Sequence, residues 1–413
     1  MNDTEQDKKH GEQHERHEKN VPLKGIKVLD LTSVVVGPVA TQFLADYGAE
    51  VIKVEMPSGD LLRKLGGASV SGSMSAKFLH LNRNKRSVVL DLKLDAARKA
   101  LRHLCAQVDI VVVNMRPHAL ERAGLSYDAL QAVNPCLIYC SLLGFGRKGR
   151  YAHRPAYDSI IQGASGISSV VDKMYGEPGY VPMVMADHTV GLIAVQMILM
   201  ALYQRERTGM GECIEVPMLE NMAAYVMAEH MYLRTFDPPL GGNFDPRVSN
   251  PQARPIKTKD SYICLSANTD QQAFAFFEAI GRPELKDDPR FCSVAARFRN
   301  TREYFELRAT ALLQKTTVQW LEIFDRLNVP AMPYNTLEHL PDDPHIRDVG
   351  LFQKVQHPTE GPIWNIGLPN TLRNGTPADY SPPPPLGADT VAVLREYGLD
   401  ESAIAAVTQP ATA

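Results

Sequence analysis

Short β-runs and amphipathic helices alternate through the first half of the chain, and this alternation constrains the fold more than any other feature. From Gly25 the order is strand, glycine-containing turn, helix and strand, written GIKVLDL, TSVVVG, PVATQFLADYG and AEVIKVE. The rhythm continues with RSVVLDLK, LDAARKALRHLCAQ, VDIVVVN, SYDALQAV and CLIYCSL, and a helix from about 188 to 207 leads into GECIEVPM. Alternating strands and helices predict an α/β fold with a parallel sheet covered on both faces.

The composition and pattern of the sequence change after residue 225, which predicts a second and smaller unit. Proline and glycine interrupt this region, with a strand–turn–strand pattern at PIKTKDSYICLSA and helices at QQAFAFFEAIG and TVQWLEIFDRLN. A chain of 413 residues also exceeds the size at which one hydrophobic core stops growing. The first 20 residues are polar, with no apolar segment, and are expected to form a disordered tail.

Composition excludes several classes of protein. Hydrophobic residues make up 44% of the chain and charged residues 22%, which is typical of a soluble globular protein. The formal net charge of −3 provides no positive field for nucleic acid. The six cysteines form no CxxC pair, which favours reduced thiols in a cytoplasmic protein. The longest apolar stretch, Val190 to Leu202, is shorter than the roughly 20 residues that span a bilayer, so no membrane association is expected.

The first strand–helix turn resembles the place where dinucleotides bind, but the glycine fingerprint of such sites is absent. Gly37 is the one glycine between Asp30 and Pro38, and alone it indicates an ordinary turn. The segment also lacks the glycines that let a backbone approach a pyrophosphate, because Val34, Val35 and Val36 occupy it. The sequence therefore argues against an NAD-linked dehydrogenase. HExxH, P-loop and GxSxG motifs are absent too, and no metal or cofactor is expected.

Basic residues follow several of the predicted strands. They are Arg63, Lys64, Lys85, Arg86, Arg116 and Arg122. The carboxyl edge of an open α/β sheet binds ligands, and arginine suits phosphate. This cluster therefore indicates a phosphorylated ligand, while a solvated charged rim is the alternative.

Asp187 precedes the most apolar helix of the chain, in MVMADHTVGLIAVQMILMAL. One interpretation is an N-cap carboxylate. The other is a carboxylate nucleophile that the helix dipole keeps ionised. Spacing alone does not choose between these roles.

An ordered series of segments resembles the class III CoA-transferases, also called the L-carnitine dehydratase and bile-acid-inducible protein F family. The resemblance runs from about Leu23 to Leu399. Its segments include LKGIKVLDLTSVVVGPVATQFLADYGAEVIKVE, LNRNKRSVVLDLK, VVVNMRPHALERAGLSYDALQAVNPCLIYCSLLGFG, PAYDSIIQGASG, the Asp187 helix with RERTGMGECIEVPM, DDPRF, NVPAMPYN and HPTEGP. It implies a Rossmann-like large domain of residues 21–225 and 336–413, a small domain inserted at residues 226–335, and an interlocked homodimer.

The resemblance also implies roles for individual residues. Asp187 matches the family nucleophile, which forms mixed anhydrides and an aspartyl-CoA thioester while CoA moves between an acyl-CoA and a free carboxylic acid. Val34, Val35 and Val36 match the segment that lines the thiol end of CoA. Positions that contact its nucleotide part are matched by Lys85, Asn114, Met115 and Arg122. Backbone N–H groups at Gly37, Gly241 and Gly242 are candidates for stabilising the oxyanion.

Departures from the family pattern bear on the substrate. Members that use formate and oxalate have Gln where this chain has Val35, and a run of glycines where it reads GGNFDPRVSNPQARP. Arg247 and Arg254 in that loop lead us to expect a C4–C5 dicarboxylate, such as succinyl-CoA, as one partner. Tyr157 stands where related racemases have a histidine, which argues against racemisation. A racemase or hydrolase of the same family and a non-catalytic acyl-CoA-binding protein remain as alternatives.

Overall fold

Six parallel strands form the main sheet of the computed structural model, which describes residues 20–408. The strands are β1 (Lys27–Leu31), β2 (Glu50–Glu55), β3 (Lys85–Val89), β4 (Ile110–Val113), β5 (Ile138–Leu143) and β6 (Glu212–Pro217). Their order across the sheet is β3-β2-β1-β4-β5-β6. The predicted parallel sheet is thus confirmed, and its strand order reverses between β1 and β4, where open α/β sheets bind ligands.

Helices cover both faces of this sheet. They are α1 (Val36–Asp46), α2 (Ala76–Leu81), α3 (Asp95–Cys105), α4 (Pro117–Ala123), α5 (Tyr127–Gln131), α6 (Asp158–Ala164), α7 (Ile167–Tyr175), α8 (Met185–Thr208) and α9 (Met218–His230). Successive strand residues point to opposite faces, so Val28 joins one core with α1 and α8 while Leu29 joins another with α3. Valine, isoleucine and leucine side chains dominate both cores, which explains the near-continuous hydrophobic strands.

A separate hydrophobic core lies within residues 256–331. It is built from the antiparallel strands β7 (Ile256–Lys257), β8 (Tyr262–Leu265) and β9 (Ala331–Pro333) and from α10 (Asp270–Ala279), α11 (Val294–Arg299), α12 (Thr301–Leu312) and α13 (Thr317–Arg326). Stacked Trp320 and Phe324 lie at its centre, with ring centroids 5.4 Å apart. We call residues 247–333, which include this core, the small unit, and the domain limits 226–335 stay a prediction.

The C-terminal segment returns to the main sheet. It contains α14 (Pro344–Asp348), a hairpin of β10 (Phe352–His357) and β11 (Gly361–Ile366), α15 (Thr390–Glu396) and α16 (Glu401–Thr408). Val393 and Ile404, from α15 and α16, join the core on the α3 face. The Asp389 carboxylate also accepts the Ser87 backbone N–H at 2.8 Å, which fastens the segment to β3. The predicted tail lies outside the described residues, apart from residue 20.

Helix α8 begins three residues earlier than the sequence predicts. Among residues 20–408 it is the one helix that is long and apolar enough to cross a membrane. A core helix of a soluble protein has the same properties, and one side of α8 packs against α1 and the main sheet. Gly191 permits this contact, because a Cβ at that position would lie 2.7 Å from the Val36 carbonyl oxygen.

Candidate active site

A cavity of about 270 Å³ opens at the carboxyl edge of the main sheet, beside the switch between β1 and β4. We call it the Asp187 cavity. It is lined by residues 33–36 after β1, 114–117 after β4, 142–145 after β5, and by Ala152, residues 154–157, Asp187 and Met218. Asp187 carries the one carboxylate in this lining, and Arg116 and Arg154 carry its positive charges. The arrangement suits an anionic ligand placed next to a single carboxylate.

The loop after β1 is held in a strained conformation. Val34 has a φ of 70°, a left-handed backbone conformation that a β-branched residue rarely adopts. Its N–H donates to both carboxylate oxygens of Asp60, at 3.0 and 3.3 Å, and Asp60 pairs in turn with the buried Lys53 at 2.9 Å. Such strain costs about 1–3 kcal/mol and persists only where the surroundings enforce it.

Asn114 fixes the same loop from the other side. Its side-chain oxygen accepts the Ser33 N–H at 3.2 Å, and its amide nitrogen donates to the Ser33 carbonyl at 2.9 Å. The side chain that the sequence assigns to nucleotide binding is therefore engaged with the protein backbone. Asn114 lines the Asp187 cavity together with Met115, so a ligand contact by either residue stays a prediction.

Asp187 is the third residue of α8, and its side chain does not cap the helix. Asp158, the first residue of α6, takes that role across 29 positions of sequence: its Oδ1 accepts the N–H groups of Ala186 at 2.8 Å and of Asp187 at 3.1 Å. The N-cap interpretation of Asp187 is therefore wrong. Because another carboxylate satisfies the helix terminus, the Asp187 carboxylate remains available to the cavity.

Gln162 joins Asp158 in holding the entry to α8. The Gln162 amide nitrogen donates to Asp158 at 2.7 Å and to the Met183 carbonyl at 3.0 Å, and its oxygen accepts the Val181 N–H at 2.9 Å. These residues are the Asp and Gln of the PAYDSIIQ segment. Sequence reasoning quoted that segment but missed its function, since the hydrogen-bond partners lie 19 or more positions further along the chain.

The electrostatic surroundings of Asp187 disfavour its ionised form. Burial first, and the nearby negative charge of Asp158 second, raise the pKa of the Asp187 carboxyl to about 7. Within residues 20–408 no hydrogen bond donor or ion-pair partner of this carboxyl group is found. A carboxylate with a pKa near neutrality is more basic than usual, and it is only partly ionised near pH 7.

The basic cluster predicted from the sequence divides by burial: Arg63 and Lys85 are buried, Arg86 is half-buried, and Lys64, Arg116 and Arg122 are exposed. Arg63 pairs with Glu55 at 2.7 Å and stacks on the Phe78 ring, and Arg86 pairs with Glu50 at 2.9 Å. Because carboxylates of β2 already pair with these two arginines, the structure does not support the interpretation that they bind a phosphorylated ligand. Arg116 does line the cavity.

Lys85 is buried inside the fold and paired with a carboxylate. Its side chain is 1% exposed, and its ammonium group contacts Asp30 at 3.1 Å, the Asn82 side-chain oxygen at 3.0 Å and the Pro38 carbonyl at 3.2 Å. This placement does not reach the Asp187 cavity, so it does not support the predicted contact with the nucleotide. Arg122, in contrast, is exposed in the last turn of α4, and its predicted contact stays a prediction.

The valine segment and Gly37 lie at the start of α1. Val34, Val35 and Val36 line the Asp187 cavity. Gly37 belongs to α1 rather than to a turn, and close packing explains it, because a Cβ there would lie 2.2 Å from Thr32.

Gly241, Gly242, Arg247 and Arg254 are not part of the lining of the Asp187 cavity. Arg247 and Arg254 line a cavity of the small unit instead. Arg154 is the lining cation that sequence reasoning missed. Arg154 is exposed, and its guanidinium carbon lies 4.7 Å from the centroid of the Tyr151 ring. The signal in the sequence that could have identified it is its position four residues before Asp158.

A family model of CoA-transferase family III matches residues 23–390, which is nearly the whole chain. The chain belongs to this family. The resemblance predicted from the sequence is confirmed, and the protein is an enzyme that transfers CoA. The non-catalytic alternative is therefore set aside.

Curated relatives share about a third of their residues with this chain. The mouse (Mus musculus) succinyl-CoA:glutarate CoA-transferase is 33% identical over 387 residues, covering 93% of this chain and 88% of the mouse protein. The succinate–glutarate CoA-transferase of Agrobacterium fabrum is 34% identical, covering 91% and 95%. A formyl-CoA:oxalate CoA-transferase of Bradyrhizobium is 31% identical, covering 91% and 93%.

Solved structures agree with the fold. A CAIB/BAIF family protein from Brucella suis superposes with a TM-score of 0.77 at 30% identity, covering 92% of this chain and all of that one, 100%. A hypothetical protein from Mycobacterium tuberculosis superposes with a TM-score of 0.79 at 29% identity, covering 91% and 99%. The Rossmann-like large sheet thus has direct structural counterparts.

Proposed function

We propose that the protein moves CoA between succinyl-CoA, or a thioester of similar length, and a C5 dicarboxylic acid such as glutarate, with Asp187 as nucleophile. The observation that carries the proposal is the single buried carboxylate in a cavity with positively charged walls. The relatives named for succinate and glutarate support the choice of acids.

The chemistry is a series of exchanges at one carboxylate. Asp187 attacks the thioester carbonyl of the donor, and CoA leaves as a thiolate while a mixed anhydride forms. The thiolate attacks the Asp187 carbonyl of that anhydride, which releases the donor acid and leaves an aspartyl-CoA thioester. The acceptor carboxylate then attacks this thioester, and the returning thiolate attacks the acceptor carbonyl, giving the new acyl-CoA and free Asp187. Bonds balance at every step, so no cofactor is required.

The geometry supports Asp187 in this role in two ways. Burial of the carboxylate in a cavity that closes around CoA would exclude water, which otherwise hydrolyses an anhydride. The raised pKa gives a more basic, and so more nucleophilic, carboxylate once it is ionised. The cost is that Asp187 is protonated, and so unable to attack, in a fraction of the enzyme molecules near pH 7.

Binding of CoA would use the loops that meet at the cavity. The fixed loop at Val34 to Val36 would face the thiol end, and Asn114 and Met115 would lie beside the part of CoA that leaves the cavity. Arg122 lies further along α4 on the surface, where it would meet a phosphate. The valine side chains of the loop offer no hydrogen bond donor to a second carboxylate as close as that of oxalate.

A homodimer fits the surface of α8. The side of this helix turned away from the main sheet exposes large apolar residues: Leu192, Met197, Leu199, Met200 and Tyr203. A patch of this kind on a soluble protein marks a contact surface. We propose that a second copy of the chain covers it, as in the interlocked dimer that the resemblance implies.

The test of the nucleophile is Asp187→Asn. Asp158 remains as the cap, so the variant should fold, and the rate of CoA transfer should fall by at least about a thousandfold. Incubation of the wild type with succinyl-CoA should add one CoA to the peptide that contains Asp187, read by mass spectrometry. A folded Asn variant with near-normal transfer would show that the carboxylate plays no covalent part.

Arg154 tests the choice of acid. We expect its guanidinium to hold the distal carboxylate of the diacid, so Arg154→Gln should raise the KM for glutarate about ten- to a hundredfold. The KM for butyrate, which lacks that carboxylate, should change little. Wild-type rates should follow the order glutarate and succinate first, then butyrate, then oxalate. Equal losses for glutarate and butyrate would assign Arg154 to CoA binding or folding.

A further inference from the structure

The small unit contains a cavity of about 460 Å³ whose charged lining residues are all arginines. We call it the small-unit cavity. The arginines are Arg247, Arg254, Arg297 and Arg308, and no aspartate or glutamate belongs to its lining. It shares no lining residue with the Asp187 cavity. This is a second concentration of positive charge, apart from the Asp187 cavity.

Two of these arginines are neutralised by neighbouring carboxylates. Arg247 pairs with Asp245 at 3.0 Å, and Arg297 pairs with Asp270 at 2.8 Å. Arg254 is exposed, and among residues 20–408 its side chain donates only to the side-chain oxygen of Gln252, at 3.5 Å. Positive charge without an acidic partner among residues 20–408 therefore remains at Arg254 and at Arg308.

Arg308 is the unusual residue of the group. It is 8% exposed, yet within residues 20–408 no carboxylate pairs with its guanidinium. One terminal nitrogen donates to the Leu265 carbonyl, and the buried Nε has no acceptor. The rings of Tyr304 and Phe305 lie 5.6 and 5.0 Å from the guanidinium carbon.

A buried charge without a counter-ion is costly, so its presence needs an explanation. Burial lowers the pKa of the Arg308 guanidinium below its ordinary value, opposed only in part by Tyr304. The five N–H bonds of a guanidinium form a planar fork that matches the two oxygens of a carboxylate. An anion in the cavity would supply both the charge and the acceptors that Arg308 lacks.

We propose that the small-unit cavity binds a small organic carboxylate, with Arg308 as its anchor and Arg254 at the opening. The rest of the lining selects the class of anion. Val248, Val294, Phe298 and Phe305 give the cavity apolar walls, which suit a hydrocarbon chain and offer nothing to inorganic phosphate. The site is separate from the proposed reaction, because it requires neither Asp187 nor CoA.

Isothermal titration of the full-length, CoA-free enzyme tests the proposal, with glutarate as the probe. Arg308→Gln should remove one class of sites or weaken it about ten- to a hundredfold, as expected for loss of a charge-assisted hydrogen bond. Arg254→Gln, an exposed change that leaves the core intact, should weaken the same sites severalfold. Arg302→Gln is the matched control, because Arg302 lies on α12 outside this cavity and pairs with Glu306. Arg154→Gln should leave these sites unchanged.

Several results would overturn the proposal. One is unchanged glutarate binding in a folded Arg308→Gln variant, and another is phosphate binding as tight as glutarate binding. If Arg308→Gln does not fold, unchanged binding in Arg254→Gln overturns it as well. Binding is measured without turnover, so an enzyme that fails the transfer test still gives a clear answer here.

Discussion

Asp30 and Asp187 are both buried aspartates near the loop that follows β1, and their surroundings shift their pKa values in opposite directions. Asp30 contacts Lys85 at 3.1 Å and accepts hydrogen bonds from Thr32 and Thr41. Burial alone would raise the pKa of Asp30, but Lys85, Lys53 and the two hydroxyl groups hold it well below its usual range. Asp187 has no such partner, and its pKa rises instead.

The difference separates a structural carboxylate from a chemical one. A carboxylate that is fully paired stabilises the fold but has no free lone pair with which to attack a substrate. A buried carboxylate without partners costs stability, and the fold tolerates it where the unpaired charge is needed. The same contrast holds for the cations: Lys85 and Arg63 are enclosed and paired, whereas Arg116 and Arg154 face the Asp187 cavity.

Asn substitutions at the two aspartates should act in opposite directions, and the larger effect is expected at Asp30. Asp30→Asn leaves the buried Lys85 without its counter-ion, which should lower the free energy of unfolding by about 3–5 kcal/mol at pH 7. Urea unfolding followed by circular dichroism measures this loss. Burial already lowers the pKa of Lys85 to about 8, so the loss should shrink at pH 9, where the lysine can give up its proton.

Asp187→Asn should instead raise the free energy of unfolding. In the wild type the pKa of this carboxyl is about 7 in the folded chain and about 3.8 in the unfolded chain. Between these values the unfolded chain has released a proton that the folded chain retains, so wild-type stability falls as the pH rises from about 4 to about 7. The Asn variant should therefore be more stable by about 1–4 kcal/mol at pH 8 and little different at pH 4. If the variant and the wild type are equally stable at both pH values, folding does not raise the pKa of Asp187.

Much of this fold was predictable because its signals are local. Runs such as VDIVVVN and glycine-flanked helices are set by neighbouring residues, and the parallel sheet follows from their alternation. The valine loop after β1 and Asp187, which the resemblance singled out, line the same cavity, and their roles toward CoA stay predictions.

The pairing of charges was not predictable, because it depends on contacts between distant segments. Asp158 caps a helix that begins 27 residues later. Arg83 forms an ion pair with Asp46 of α1 at 2.7 Å, although 37 positions separate the two residues. From spacing alone, Lys85 and Arg116 are equivalent cations that follow strands of one sheet. The register of β3 beside β2 places Lys85 opposite Val51 and turns it inward, which decides the difference.

The pH dependence of transfer should reveal how much of the rise in the pKa of Asp187 comes from Asp158. The ionised carboxylate is the attacking form, so the rate of aspartyl-CoA formation in single-turnover experiments should rise with pH through a midpoint near pH 7. Asp158→Asn removes one negative charge but keeps an oxygen to cap α8, since Asn and Asp cap about equally well. Burial, the larger cause of the shift, remains, so the midpoint should fall by only roughly half to one pH unit.

Gln162→Ala is the matched control for this substitution, because it removes a hydrogen bond to Asp158 and leaves the charge of Asp158 in place. It should disturb the segment before α8 without moving the midpoint to lower pH. If Gln162→Ala shifts the midpoint as far as Asp158→Asn does, the profile reports the position of the helix terminus rather than the charge beside it. The contrast with Asp30 would then rest on the lysine and hydroxyl partners that Asp187 lacks, because both carboxylates are buried.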